Sequence, residues 1–248
     1  MKRQIRKNLF LLVQNILYMA FLTLDILEAN IALSNYIKFT VVVLCFLYVL
    51  FAKGSSRQQK LLSYAMVFTV VSDVFLLLTN YYLYGLVTFI LVQQLYGIRI
   101  TELIGRRASG GGTFNGKKKP LDKFLVRIVV CVVITITLII ILWKFGVPVD
   151  GLLLASVFYF ISIIINVARC IKLSIDFSAE KDIRYFSIGM LLFLLCDINV
   201  GLFNLSSFIS MGSIYKNVYN ISSVLMWAFY APSQVMIALS GDEYHLAK

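Results

Sequence analysis

Residues 184–206 read RYFSIGMLLFLLCDINVGLFNLS, an arginine followed by an apolar run with one charged side chain inside it, Asp197. A run of this length matches the ~20 residues a helix needs to cross a hydrocarbon core of ~30 Å. In lipid the backbone polar groups must be satisfied within the segment, which a helix does. The run also lacks the alternation of apolar and polar residues that a membrane-barrel strand requires. Similar runs recur along the chain, and the spans are expected at about 9–31, 35–52, 60–80, 82–104, 123–145, 150–173, 184–206 and 218–240. The 248 residues are 60% hydrophobic and 14% charged, with a mean hydropathy of +0.87. A soluble domain of this size has no interior large enough for so much apolar surface. The expected fold is therefore all-α: a polytopic membrane bundle of eight transmembrane helices forming one domain over residues 1–248. The first run is too long for a signal-peptide core and has no small-residue cleavage site behind it, so it is expected as a retained span.

Connections are short except for Gly105 to Asp122, GRRASGGGTFNGKKKPLD, a Gly-rich basic loop dividing the chain into two groups of four spans. The net charge of +11 is distributed by side. Lys2, Arg3, Arg6, Lys7, Lys53, Arg57, Lys60, the Lys117–Lys119 loop, Arg169, Lys172, Lys181 and Arg184 fall on the side of the termini. Lys38, Lys144 and Lys216 fall on the other. That asymmetry follows the positive-inside rule and puts both termini in the cytoplasm. The basic balance therefore reads as topology, with no nucleic-acid partner expected, while the Lys117–Lys119 loop is suited to anionic lipid headgroups. The four cysteines (Cys45, Cys131, Cys170, Cys196) are scattered among the spans and read as small packing residues.

An ionisable side chain within a span costs several kcal/mol and marks a functional hypothesis. Asp73 and Asp197 stand out. Each lies thirteen residues after a basic residue that opens its span, Lys60 in the third and Arg184 in the seventh. That is roughly 20 Å along a helix, so the two carboxylates are expected at one depth, slightly past the midplane. The matching positions also suggest a parallel four-plus-four repeat. Two carboxyl groups in a low-dielectric layer do not both ionise readily, and a split into one acid and one carboxylate suits acid–base hydrolysis. The competing reading is that each Asp is a hydrogen-bonded lock between helices. No helix break is signalled beside either: Gly201 is a lone glycine and Pro232 lies in a different span.

Gln93 and Gln94 in the fourth span, Asn166 in the sixth, Gln234 in the eighth, and Tyr96 and Tyr230 are polar groups near the same layer. Asp25 and Glu28, near the outer end of the first span, read as a solvated helix end. Lys38 is placed to meet a phosphate or, equally, to snorkel. His245 lies in the tail. No metal-binding pair, cysteine cluster, nucleophile elbow or phosphate-cradling Gly loop is present in the sequence, and no metal or organic cofactor is expected.

The third and fourth spans contain FTVVSDVFLLL (68–78) and YGLVTFILVQQLYGI (84–98); the seventh contains IGMLLFLLCDINVGL (188–202) and the eighth ends FYAPSQVMIALS (229–240). This pattern resembles the YhhN-like lysoplasmalogenase family of eight-span membrane proteins. The resemblance rests on the Asp motifs of the third and seventh spans, carried onto Asp73 and Asp197, and on a Tyr-x-x-x-Gln element in the last span, carried onto Tyr230 and Gln234. Two positions depart from the family. The usual His of the fourth-span His-x-x-Tyr is Gln93 here, ahead of Tyr96, and the usual Lys-Pro of the second span is Lys38 followed by Phe39.

The resemblance implies an integral protein of a bacterial cell membrane whose substrate is a lysolipid. The implied reaction is hydrolysis of the lysoplasmalogen vinyl-ether bond, giving a fatty aldehyde and a glycerophospho-base. Asp73 and Asp197 would be catalytic, Gln93, Tyr96, Tyr230 and Gln234 would orient substrate or water, and Lys38 would hold the phosphate. A proton- or cation-linked transporter of small solutes or lipids, and a non-catalytic membrane protein with structural aspartates, stand as the alternatives.

Overall fold

The computed structural model describes residues 2–52, 56–79, 81–108, 120–205 and 214–241. The Lys117–Lys119 loop, Lys53 and His245 lie outside the described residues. Eight helices follow in order: α1 Lys2–Ile26, α2 Ile31–Phe51, α3 Arg57–Asp73, α4 Tyr82–Ala108, α5 Pro120–Lys144, α6 Gly151–Asp176, α7 Lys181–Phe203 and α8 Ile214–Leu239. All eight are long and apolar enough to cross a membrane, and the chain is an integral membrane protein.

Local chemistry sets several boundaries. The expected first span ran to residue 31, yet α1 ends at Ile26. Glu28 then takes φ 48°, and the Asn30 side chain accepts the Leu33 N–H at 3.0 Å, opening α2 four residues earlier than expected. Ser56 and Asp150 cap α3 and α6 in the same way, each satisfying an amide that helix geometry leaves unpaired.

A second correction concerns α3. No helix break was signalled near the aspartates, but the helix changes to a π-helical turn over Val74–Leu78, immediately after Asp73. Such turns are rare and occur often at functional sites. Pro232 sits inside α8. Proline has no N–H to offer the carbonyl four residues earlier, and the Tyr18 hydroxyl of α1 donates to that Ala228 carbonyl at 3.1 Å instead.

The core is one apolar cluster including Leu62, Met66, Ile163, Phe186 and Ile237, but α5 departs from it. On α5 the buried positions Arg127, Cys131 and Thr135 recur every four residues, while Val129, Val133, Ile136 and Ile140 face outward. A four-residue spacing is one helix face, so the polar and small stripe is the inner one and the apolar face meets lipid. The α7–α8 contact is the most extensive. A Cβ at Gly189 would lie 3.0 Å from both the Ile237 nitrogen and the Ser233 carbonyl oxygen, so only glycine allows this approach.

Besides its partner α7, helix α8 touches α1 and α2; helix α4 touches α5 and α6 besides α3. These contacts do not by themselves establish the expected four-plus-four repeat. The aspartates do not follow it, because Asp73 meets α8 whereas Asp197 meets α6.

Candidate functional site

Asp73 ends the regular part of α3 and is 2% exposed. The Tyr230 hydroxyl of α8 lies 2.9 and 2.8 Å from its two carboxyl oxygens, a bifurcated donation. Beside it, the Ser72 hydroxyl donates to Thr88 Oγ1 of α4 at 2.6 Å. Buried polar atoms of this kind are costly unless paired, and in α3 the pairing comes from both α4 and α8.

Asp197, on α7, is half-buried. Its Oδ2 accepts the Tyr159 hydroxyl of α6 at 2.8 Å. The Gln93 side chain of α4 lies near the Tyr159 hydroxyl, with its Nε2 making no hydrogen bond among the described residues. Asn166 Nδ2 in turn donates to the Gln93 carbonyl and to its Oε1 at 2.8 and 3.0 Å, and Arg127 donates to Asn166 Oδ1 at 2.6 Å. A hydrogen-bonded series thus runs from α5 through α6 and α4 to the Asp197 side of the bundle.

The two aspartate–tyrosine pairs share one aromatic cluster. The Phe89 ring lies 6.2 Å from Tyr159 and 6.3 Å from Tyr230, centroid to centroid. Phe193 packs edge-on to Phe89 at 5.7 Å and to Tyr230 at 5.6 Å. The Cys196 thiol is within electrostatic reach of both carboxyl groups. Such a layer, apolar except for two carboxyls and their phenol donors, strengthens electrostatic interactions relative to water.

The remaining sequence candidates are placed differently. Gln234 lies one helical turn beyond Tyr230 and is fully buried, with neither amide atom hydrogen-bonded among the described residues. The Gln93 Nε2 is likewise unpartnered. Tyr96 is buried against Phe186, with its hydroxyl 3.8 Å from the Met66 sulfur. Lys38 is 6% exposed and ion-paired with Asp25 at 2.9 Å, its ammonium 4.7 Å from the Trp227 ring. The Ser34 hydroxyl also donates to Asp25, at 2.5 Å. Asp25 is therefore a paired, mostly buried group and not the solvated helix end expected of it, because α2 begins early enough to bring Ser34 and Lys38 beside it.

Sequence reasoning missed Tyr159, Phe89 and Phe193. The available signal was Tyr159 itself, a phenol amid apolar residues at the centre of a span, since a buried tyrosine hydroxyl usually finds a partner. An apolar groove of about 410 Å³ opens between α4, α5 and α6, lined by Ile90, Val132, Thr135, Ile136, Leu154 and Phe158 among others. Ile90 and Phe158 are the chain neighbours of Phe89 and Tyr159, so the groove wall backs onto the aromatic cluster.

Comparisons with curated proteins and with solved structures return no match. The model of the YhhN family matches residues 33–241, which take in both aspartates and both tyrosines, and the chain belongs to the YhhN family.

Proposed function

We propose that this protein is a membrane-embedded hydrolase that cleaves the vinyl-ether bond of lysoplasmalogen-type lysolipids. The observation that carries the reading is the pair of intramembrane carboxyl groups, each held by a tyrosine hydroxyl and joined through one aromatic cluster, in a chain of this family.

The chemistry needs a proton and a water molecule. A carboxylic acid delivers its proton to the outer vinyl carbon, leaving an oxocarbenium ion on the carbon bonded to oxygen. The second carboxyl group, as carboxylate, stabilises that cation and takes a proton from the water that adds to it. The hemiacetal then collapses: the group that took a proton from water returns one to the glycerol oxygen as its C–O bond breaks, the other carboxylate takes the proton of the hemiacetal hydroxyl, and a fatty aldehyde and the glycerophospho-base leave. One water is consumed and the protons balance. The roles belong to Asp73 and Asp197 jointly, because coupled acids titrate as a pair. Tyr159 and Tyr230 hold the carboxyl groups in place, and the Gln93 Nε2 and both amide atoms of Gln234, without partners among the described residues, are available to orient substrate or water. Tyr96, one turn from Gln93, supports that helix face. Lys38 is already neutralised by Asp25, which removes the charge a phosphate would need there. The charge asymmetry along the chain supports cytoplasmic termini.

A proton- or cation-linked carrier is the second reading, favoured by the π-helical turn beside Asp73 and by Pro232 near its partner Tyr230. Irregular helices next to intramembrane carboxylates are a transporter device. The deciding measurement is aldehyde release from lysoplasmenyl-ethanolamine by the purified protein in lipid, beside Asp73→Asn and Asp197→Asn. Turnover that both substitutions abolish supports the hydrolase. A folded wild type that releases no aldehyde, yet moves protons or solute in liposomes, overturns it.

A further inference from the structure

Two guanidinium groups meet inside the bundle without a carboxylate partner among the described residues. Arg127 of α5 is 6% exposed and donates to Asn166 and to the Gln94 side-chain oxygen. Its Nε is buried and has no hydrogen-bond partner among the described residues. Arg169 of α6 is half-buried and donates to Thr101 Oγ1 at 2.7 Å and to the Gly97 carbonyl at 3.4 Å. The two guanidinium groups lie within electrostatic reach of each other, and the other ionisable groups facing them are the Cys131 and Cys170 thiols. Gly97 makes the room: a Cβ there would overlap the Arg127 guanidinium. A buried cation is ordinarily paired, as Lys38 is with Asp25. Two adjacent ones left unpaired, with spare N–H groups in planar forks, have the chemistry of a phosphate-ester site.

The three helices around this pair contribute different polar groups to one line of side chains, and each reaches the groove at its far end. On α6, from the end carrying the termini inward, come Arg169, Asn166, Tyr159 and then Phe158 and Leu154 of the apolar groove. On α4 come Thr101, Gly97, Gln93 and then Ile90 of the groove. On α5 Arg127 is followed by Cys131 and by Thr135 of the groove. Cation, amide, reactive phenol–carboxyl pair and apolar channel are thus stacked along one side of the bundle. Arg169 lies ten residues from Tyr159, about 15 Å along the helix axis, and the two arginine side chains and the Asn166–Gln93 bonds occupy the interval.

We propose that α4, α5 and α6 form the seat of a single-chain phospholipid, with its phosphate on Arg127 and Arg169 and its hydrocarbon chain in the groove. The linkage between headgroup and chain then falls beside Tyr159 and Asp197. The proposal deepens the hydrolase reading and rests on it for the identity of the bond that is cleaved.

The test uses the full chain in lipid nanodiscs and a non-cleavable 1-O-alkyl lysophospholipid, so that binding is read apart from chemistry. The comparison ligands are the phosphate-free 1-O-alkylglycerol and inorganic phosphate as competitor. Arg169→Gln is expected to weaken the lysophospholipid about tenfold, the loss of one charge-assisted contact, and to leave the alkylglycerol unchanged. Gly97→Ala, which displaces Arg127 without removing a charge, is expected to act in the same direction. Ala155 also lines the groove, and Ala155→Phe, filling it, is expected to weaken both chain-bearing ligands. Equal binding of lysophospholipid and alkylglycerol, or no effect of Arg169→Gln, overturns the phosphate site. Inorganic phosphate competing as well as the lipid assigns the arginines to free phosphate and overturns the lipid seat. Arg169-dependent binding without aldehyde release sinks the hydrolysis and keeps this site. Turnover with an unchanged KM in Arg169→Gln sinks this site and keeps the hydrolysis.

Discussion

Asp73 and Asp197 look equivalent along the chain and differ in the folded bundle. Asp73 is sealed at 2% exposure, and both of its oxygens face one phenol. It stands where α3 turns into a π-helix, gripped between α4 and α8. Asp197 is half-buried, one oxygen accepts from Tyr159, and the other takes no hydrogen bond from the described residues. Its phenol partner lies near the Gln93–Asn166–Arg127 series and adjoins the lateral groove. One carboxyl is thus closed and the other open. On the proposed hydrolase reading, the open one meets the lysolipid and the closed one sets the field around it.

The sharpest way to break that comparison is to remove each carboxylate in turn. General acid–base groups contribute roughly 10²–10⁴ in rate. Asp197→Asn is expected near the upper end of that range and Asp73→Asn nearer the lower, measured as kcat for aldehyde release. The reverse ranking would make Asp73 the group that meets substrate.

Asp25 supplies a third carboxylate for contrast, since its partner is a cation. Lys38→Met leaves that carboxylate buried and unpaired, and breaking a buried pair costs ~3–5 kcal/mol. A large fall in thermal stability is expected, with most of it recovered in the Lys38→Met, Asp25→Asn double variant. Equal stability of all three proteins would show that the pair contributes nothing.

Removing the phenols should separate stability from rate. Tyr230→Phe strips the sealed Asp73 of its donor, a loss of ~1–3 kcal/mol, visible in the unfolding temperature. Tyr159→Phe is expected to cost less stability, because Asp197 is more open, and to act mainly on kcat. The smallest effect belongs to Tyr18→Phe. It leaves the Ala228 carbonyl freed by Pro232 without its donor, for about 1 kcal/mol, and the disturbance should reach Tyr230 and Asp73 while sparing Tyr159. Matching responses at both tyrosines would erase the distinction between a closed and an open carboxyl.

Much of this was legible without coordinates. The eight spans could be counted because each apolar run is a local sum over its own residues, and Asp73 and Asp197 stood out because a charge in such a run is conspicuous. The turn at Glu28 was misread, since an Asn30 cap outweighs the apolar residues that follow it. Asp25 was misread for the same reason: its partner Lys38 enters only when α2 starts early. Tyr159 went unnoticed because tyrosines are common in spans, and its partner lies on another helix.

The amino-acid sequence by itself determined that this is a membrane bundle of eight helices, that two of its long apolar helices each carry an internal carboxyl group, Asp73 and Asp197, and that it belongs to the YhhN family. Hydropathy and short motifs are properties of contiguous residues, and no packing is needed to evaluate them. Only the tertiary structure decided that Asp73 is closed by Tyr230 and Asp197 left open beside Tyr159, and that Lys38 has a counter-ion while Arg127 and Arg169 have none among the described residues. Those outcomes depend on how far each helix is rotated about its axis and how closely it nears its neighbour, as glycines 97 and 189 permit. Rotation and approach are set by all the contacting helices together, so no single stretch of sequence encodes them.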